Sequence, residues 1–295
     1  MPVTNANNFQ RARAALRFTQ LPTWGNVYFC DSGSGSSTGG YHADAGTATL
    51  IQAQTLCTAS NGDVVYVSPD HAESVIAAAG MTFSKAGVRY QGLGHGRMRP
   101  TITFSTDTAA QIIISGANIT FANMVFDFTG IDAIVAAISV TAADVAFEDC
   151  EFITNSATAG VVLGILTAAT ATRFRVERCT FLGPAVNTGT TTTAAIKHEV
   201  GINYVIRDCF FIGKCTQSIL NATAVLGGLI DNNTFHIYTG TKVLSMHASS
   251  TGVVSNNDCV VASGTTPMVG TIMSYVNNHY STEGIGVSAG TALTF

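Results

Sequence analysis

A repeated eight-residue motif constrains the fold of this chain more than any other feature. Each copy is an apolar strand, a short polar step and a closing residue that is aromatic in most copies. The seven copies close at Phe126, Phe152, Phe181, Phe211, Phe235, Cys259 and Tyr280. Successive closing positions are therefore 26, 29, 30, 24, 24 and 21 residues apart. Periods in this range are typical of solenoids, in which each repeat contacts only its neighbours.

The sequence between the motifs predicts strands rather than helices. A second short apolar run precedes each motif, as in Ile112–Ile114 and Val162–Ile165. Turn residues such as Gly130, Gly183 and Gly213 follow the closing residue of the motif. We expect these glycines to form corners with positive φ. Because long amphipathic helices are missing from the pattern, it argues against leucine-rich, ankyrin and tetratricopeptide arrays. The pattern predicts an all-β parallel β-helix of about eight coils.

The composition agrees with stacked coils. Only 11% of the residues are charged, whereas 46% are hydrophobic and 29 are glycine. In stacked coils most backbone groups pair with the coils above and below, so the chain needs few charges. The net charge of −4 gives no basic field that could gather nucleic acid. The longest uncharged stretch, Phe152–Thr172, is rich in threonine and predicts strands rather than a membrane-spanning helix.

One position of the repeat predicts a tight inward corner. Two residues before the closing position the first copy carries Met124, the next three copies carry thiols and the last three carry amides. These residues are Cys150, Cys179, Cys209, Asn233, Asn257 and Asn278. We interpret these residues as a buried structural ladder. The chain has seven cysteines, no C-x-x-C pair and no visible secretion signal. We therefore expect reduced thiols and predict neither a metal site nor a cofactor.

The chain divides into three predicted regions. Residues 1–24 form an N-terminal arm or cap, residues 25–80 hold entry strands and a short capping helix, and residues 81–295 form the coils. The first region contains a basic amphipathic segment built from Phe9, Arg11, Arg13, Leu16, Arg17 and Phe18. Two interpretations of this segment stay open: a cap over the first coil, or an arm that docks on an acidic surface of a partner.

The order of the entry elements resembles a known superfamily. A strand at Asn26–Cys30 and a Gly/Ser loop precede a short amphipathic helix between Thr47 and Ala59, and two further β segments follow at 62–73 and 86–102. This order is similar to the entry of right-handed parallel β-helix proteins of the pectate-lyase-like superfamily, particularly short virion proteins of tailed bacteriophages. The resemblance covers residues 27–295 and implies a single-stranded right-handed parallel β-helix with a short N-terminal helix or cap.

The same resemblance allows a test for catalysis. A polysaccharide lyase or glycoside hydrolase of this superfamily would carry clustered carboxylates on neighbouring coils, either to hold Ca²⁺ or to act as an acid and base pair. Glu148 and Glu177 should lie on adjacent coils about 5 Å apart and are the candidate catalytic pair. Arg207 next to them favours charge balance instead, and Asp149, Arg178 and Asp208 predict a surface ion ladder.

The sequence favours a structural function. The leading hypothesis is a non-enzymatic phage virion protein, either a capsid decoration or cement protein or a projecting spike, that forms a homotrimer and docks on capsid or tail proteins. It would be located in the virion and assembled in the host cytoplasm, without nucleic acid or membrane as a partner. The alternative is a tailspike-type polysaccharide depolymerase or a glycan-binding receptor protein that acts on host surface polysaccharide. The β pattern continues to Phe295, which leaves little chain for the extra domains of a tailspike.

Overall fold

The chain winds through three parallel sheets in turn. The computed structural model describes residues 25–105, 109–154, 161–183, 192–199, 201–239, 242–261, 266–269, 273–282 and 291–292. Strands are numbered in chain order, and the three long sheets are called first, second and third. Neighbouring strands in each sheet come from successive coils, which is the topology of a parallel β-helix. The predicted fold class is confirmed.

The first sheet has ten strands and includes the entry strands of the chain. In order of pairing they are β1 (Val27–Cys30), β2 (Val64–Val67), β5 (Arg89–Gly92), β8 (Thr120–Ala122), β11 (Ala146–Glu148), β14 (Arg175–Glu177), β18 (Val205–Arg207), β22 (Gly228–Asp231), β25 (Gly252–Ser255) and β28 (Ser274–Val276). All of these strands run parallel to their neighbours, so the entry strands and the coils share one sheet.

The second sheet has eight strands, and each of them begins one coil. They are β4 (Met81–Phe83), β7 (Ile112–Ile114), β10 (Ile138–Val140), β13 (Leu163–Thr167), β16 (Ala194–His198), β20 (Gln217–Asn221), β24 (Lys242–Ser245) and β27 (Thr266–Val269). A strand of the first sheet and a strand of the third sheet follow each of them along the chain. We number these coils one to eight.

The third sheet completes each coil. Its strands are β3 (Ala72–Val75), β6 (Thr101–Phe104), β9 (Val125–Asp127), β12 (Glu151–Ile153), β15 (Thr180–Leu182), β19 (Phe210–Lys214), β23 (Thr234–Thr239), β26 (Asp258–Val261), β29 (His279–Thr282) and β30 (Thr291–Ala292). The last strand pairs antiparallel with β29. A separate pair, β17 (Gly201–Ile202) and β21 (Val225–Leu226), lies at the corner before the first sheet.

The closing aromatic residues of the motif form a column in the core. Phe126, Phe152, Phe181, Phe211 and Phe235 stack face to face, with ring centroids 4.5–5.2 Å apart. All five rings are buried. Stacked aromatic pairs contribute about 0.5–1.5 kcal/mol beyond the burial of their area. The column therefore fixes the register of the third sheet from one coil to the next.

The corner between the first and third sheets is a single left-handed residue. Its φ lies between 52° and 56° at Asn123, Asp149, Arg178, Asp208, Asn232, Asn256 and Asn277. Positive φ therefore occurs three residues before the closing position, whereas Gly130 and Gly183, which were predicted to have it, do not. Gly213 does have a positive φ, of 114°. The sequence prediction was wrong for those two glycines because the left-handed turn lies at an earlier corner of the coil. Asn, Asp and even Arg occupy it there.

A second column of left-handed residues lies five residues earlier, where the chain enters a strand of the first sheet in each coil. Its φ lies between 56° and 74° at Ser60, Gly87, Asn118, Asp144, Arg173, Asn203 and Gly227. In both columns the left-handed N–H donates to the carbonyl just before the corresponding residue of the next coil, as from Asn118 to Ala143 at 2.9 Å and from Asn123 to Glu148 at 3.0 Å. Each strand of the first sheet between these columns therefore has a fixed length.

One short helix closes the core at its N-terminal end. The helix α1 (Leu50–Leu56) begins after Thr49, whose side chain accepts from the N–H of Gln52. The side chain of Gln54 then bonds the edge of the second sheet, donating to the carbonyl of Thr82 at 2.8 Å and accepting from the N–H of Ser84 at 2.6 Å. The helix is shorter than the predicted 47–59. A 3₁₀-helix spans Gly96–Met98, and no helix in the described ranges has the length and apolarity to cross a membrane.

Candidate functional site

The two candidate carboxylates lie side by side on the outer face of the first sheet. Glu148 and Glu177 are register partners on β11 and β14, as the repeat predicted. The Nη2 of Arg89 lies 3.0 Å from the Oε2 of Glu148, and the Nη2 of Arg207 lies 3.3 Å from the Oε2 of Glu177. Ala122 lies between β5 and β11, and its small side chain lets Arg89 reach across one coil. Each carboxylate is therefore faced by at least one guanidinium, and Glu177 also has that of Arg178 at 3.6 Å.

The left-handed columns carry a second set of ion pairs. Arg178 bonds both oxygens of Asp149, at 2.8 and 3.1 Å, and Arg173 bonds both oxygens of Asp144, at 2.6 and 2.5 Å. Hydrogen bonds from Arg173 lower the pKa of the Asp144 carboxyl, and those to Asp149 raise the pKa of Arg178. Two forked pairs thus connect the same two coils. One lies where the chain enters the strands β11 and β14 of the first sheet, and the other lies where it leaves them.

The predicted ion ladder ends after two residues. Arg178 contacts Asp149 and approaches Glu177 at 3.6 Å, but it forms no ion pair with Asp208. Asp208 instead accepts a hydrogen bond of 2.7 Å from the amide of Asn232. The reason is that each forked guanidinium saturates one carboxylate, and the neighbouring coil offers an amide to the next one. The expectation that Asp208 joins the ion ladder was wrong.

The structural ladder lies inside the corner, directly after each left-handed residue. Cys150, Cys179 and Cys209 are buried, and burial raises the pKa of the Cys179 thiol. The amides continue the same column, because the N–H of Asn233 donates to Asn257 at 2.9 Å and the N–H of Asn257 donates to Asn278 at 3.1 Å. All seven cysteines of the chain are free and buried.

A thiol, an imidazole and a carboxylate meet near the entry strands. The Nδ1 of His71 lies 3.8 Å from the Sγ of Cys30, and its Nε2 lies 3.2 Å from the Oε2 of Glu73. This order of groups occurs in nucleophilic catalysis. However, the Nδ1 accepts from the N–H of Ser32 at 3.0 Å, Cys30 is fully buried, and burial raises the pKa of its thiol. Glu73 also accepts from the N–H of Leu50, so the cluster holds α1 in place.

A buried polar row on the second sheet was missed by the sequence reasoning. Thr167, His198 and Asn221 are register partners on three successive coils. The Nδ1 of His198 lies 2.8 Å from the Oγ1 of Thr167, and its ring stacks on Tyr204 with centroids 4.2 Å apart. Burial lowers the pKa of His198 to about 3. The available sequence signal was a polar residue at the end of the second-sheet strand in three successive coils.

The basic N-terminal segment and a metal site were the remaining subjects of the sequence predictions. The segment from Phe9 to Phe18 lies outside the described residues. Within the described ranges, no group of three or more His, Cys, Asp or Glu side chains is arranged to hold a metal ion. The outer face of the first sheet carries a charged cluster, in which Arg89 and Arg207 flank the adjacent carboxylates Glu148 and Glu177.

Comparisons with known proteins give only distant likenesses. No family model and no curated protein matches this chain. Among solved structures it is similar to a rhamnogalacturonan lyase, with 14% identity, a TM-score of 0.49 and coverage of 86% of this chain and 87% of that chain. It is also similar to the deglycosylated pectin methylesterase from Aspergillus niger, with 13% identity, a TM-score of 0.34 and coverage of 93% of both chains. At this distance neither carries an argument, so the fold rests on the strand pairing alone.

Proposed function

We propose that this chain is a non-enzymatic structural protein of a tailed-phage virion, either a capsid decoration or cement protein or a projecting spike. The observation that supports the proposal is a set of ion pairs between different coils: Arg89 with Glu148, Arg99 with Glu151, Arg173 with Asp144, Arg178 with Asp149 and Arg207 with Glu177. Together they connect coils one to five along the axis. These carboxylates are held by arginines of the chain itself.

The charge balance favours a structural surface over a catalytic one. A general acid or base must exchange a proton with substrate, and a Ca²⁺ ligand must offer unshared carboxylate oxygens. Glu177 is nearly buried, with an 8% exposed side chain, and faces both Arg207 and Arg178. A cation at this position would meet two guanidinium groups. Since single surface pairs contribute little stability, we assign these pairs the role of neutralising and aligning the coils.

The N-terminal segment fits the role of a docking arm within this proposal. The helix α1 already covers the N-terminal end of the core, with Leu50 and Ala53 buried beneath it. A second cap is therefore not needed there. This supports an arm in which Phe9, Leu16 and Phe18 supply apolar contacts and three arginines contact an acidic capsid or tail protein. In a homotrimer three such arms would act together, which raises the effective concentration of each weak contact.

An attachment assay tests this proposal. Deletion of residues 1–18 should leave a folded oligomer that no longer attaches to particles from which the protein has been stripped. The full chain should attach, and high salt should weaken the attachment because the contacts are charged. Attachment of the truncated protein at full occupancy would contradict the arm and return residues 1–24 to the cap interpretation.

The alternative is a polysaccharide depolymerase or a glycan-binding receptor protein. The adjacent positions of Glu148 and Glu177 are the observation that keeps it in view. The assay is incubation of the full chain with host surface polysaccharide, with and without Ca²⁺, and measurement of soluble fragments. We expect no release. Release that is lost in E148Q or E177Q, but kept in the control D149N, would establish the enzyme instead.

A further inference from the structure

The buried polar row of the second sheet, Thr167, His198 and Asn221, contains two atoms without a hydrogen-bond partner among the described residues. They are the Nε2 of His198 and the Oδ1 of Asn221. Both residues are only 2% exposed. Buried polar atoms in folded proteins nearly always have a partner, which is either another protein group or an ordered water. The two atoms therefore indicate a small bound partner in the core.

The two unpaired atoms lie in one region of the core. His198 and Asn221 are register partners on β16 and β20, in coils five and six. Both side chains contact Tyr204: the His198 ring stacks on its ring with centroids 4.2 Å apart, and the Nδ2 of Asn221 donates to its Oη at 3.1 Å. Neighbouring strands are about 4.8 Å apart, a separation that one molecule with two hydrogen bonds can bridge.

The surrounding hydrogen bonds assign a donor and an acceptor to the two atoms. The Nδ1 of His198 lies 2.8 Å from the Oγ1 of Thr167, and among the described residues it is the acceptor that this hydroxyl reaches. If Thr167 donates to Nδ1, the proton of the neutral ring is on Nε2, which becomes a donor. The Oδ1 of Asn221 is an acceptor, because the Nδ2 of the same amide already donates to Tyr204.

The partner must be neutral and able both to accept and to donate. Burial lowers the pKa of His198 to about 3, so the ring is uncharged at neutral pH, and the Asn221 amide carries no charge. An ion here would have no opposite charge in the polar row to compensate its burial. A water molecule meets both requirements and commonly fills such sites.

We propose that one water molecule is bound in the core between coils five and six, where it accepts from the Nε2 of His198 and donates to the Oδ1 of Asn221. This inference goes beyond the proposed structural function and does not depend on it. The bound water connects two coils through hydrogen bonds inside the core, whereas the ion pairs between coils lie on the outer face.

A high-resolution crystal structure of the full chain tests the site. We expect a density peak about 2.7–3.2 Å from both the Nε2 of His198 and the Oδ1 of Asn221. The peak should be lost in N221L, which removes the acceptor, and kept in the control H247Q, since His247 is exposed. A wild-type structure without the peak, or one in which Nε2 and Oδ1 bond each other directly, would overturn the proposal.

Nitrogen-15 NMR of histidine-labelled protein tests the assigned proton without any substitution. At neutral pH the His198 ring should show a protonated Nε2 and an unprotonated Nδ1 that accepts a hydrogen bond. H198Q identifies its signals by their loss. A proton on Nδ1 would overturn the proposal, because Nε2 could then no longer donate to a water.

Discussion

Single residues show how this solenoid places polar groups in its core. In the later coils the amides of Asn233, Asn257 and Asn278 bond one another, and each also donates to a backbone carbonyl at 2.9–3.0 Å. In the earlier coils Cys179 and Cys209 occupy the same position, where the N–H of Cys179 meets the Cys209 sulfur at 3.5 Å. The same corner thus works with a strong acceptor or with a small, weak one.

Substitution of Asn257 measures what the amide contributes. N257L removes the acceptor for the N–H of Asn233 and leaves that donor buried without a partner, which should lower the free energy of unfolding by about 2–4 kcal/mol. N257C should cost less, because earlier coils already use the thiol there. Chemical denaturation measures both. Equal stability of N257L and the wild-type chain would show that the ladder bonds do not matter.

His198 gives the molecule a dependence on pH. Its pKa is about 3 in the folded chain and about 6.5 in the unfolded chain. As pH falls below 6.5 the unfolded chain takes up a proton that the folded chain cannot, so stability decreases from pH 6.5 towards pH 3. At pH 4.5 the loss should be about 2–3 kcal/mol.

The H198Q variant tests that assignment. Its stability should change less between pH 7 and pH 4.5 than that of the wild-type chain, as measured by urea denaturation at both values. H247Q is the control, since His247 is exposed. If H198Q and the wild-type chain lost the same stability on acidification, other groups would be responsible.

At the scale of the elements, the first sheet is defined by its two left-handed columns. The repeat predicted the strands and the ladder position, because apolar residues and a closing aromatic recur at a steady period. It did not predict the second column, because Ser60, Gly87, Asp144 and Arg173 share a backbone conformation but no side-chain chemistry. The cross-coil partners of Glu148 and Glu177 were only partly predictable: Arg207 is adjacent in the repeat, but Arg89 reaches from two coils away.

Two substitutions of Arg178 distinguish the contribution of its backbone conformation from that of its ion pair. R178V places a β-branched residue at a φ of 53° and should destabilise the chain by about 1–3 kcal/mol. R178G removes the same ion pair but accepts the conformation, and it should cost less because an exposed pair contributes little. Thermal unfolding compares them. A larger loss in R178G than in R178V would mean that the ion pair dominates.

At the scale of the whole molecule, the described ion pairs between coils lie in coils one to five. The eight coils rise by about 38 Å at 4.8 Å each. The proposed structural function fits a short rod of this kind, in which the chain's own arginines neutralise the carboxylates of the outer face.

The copy number of the protein in purified particles tests this account most directly. Quantitative mass spectrometry of density-purified virions, compared with the particle-free fraction of the lysate, gives the number of copies per particle. We predict that the chain is found in the particles at a fixed number that is a multiple of three. Particles that lack the chain, with all of it free in the lysate, would contradict the account.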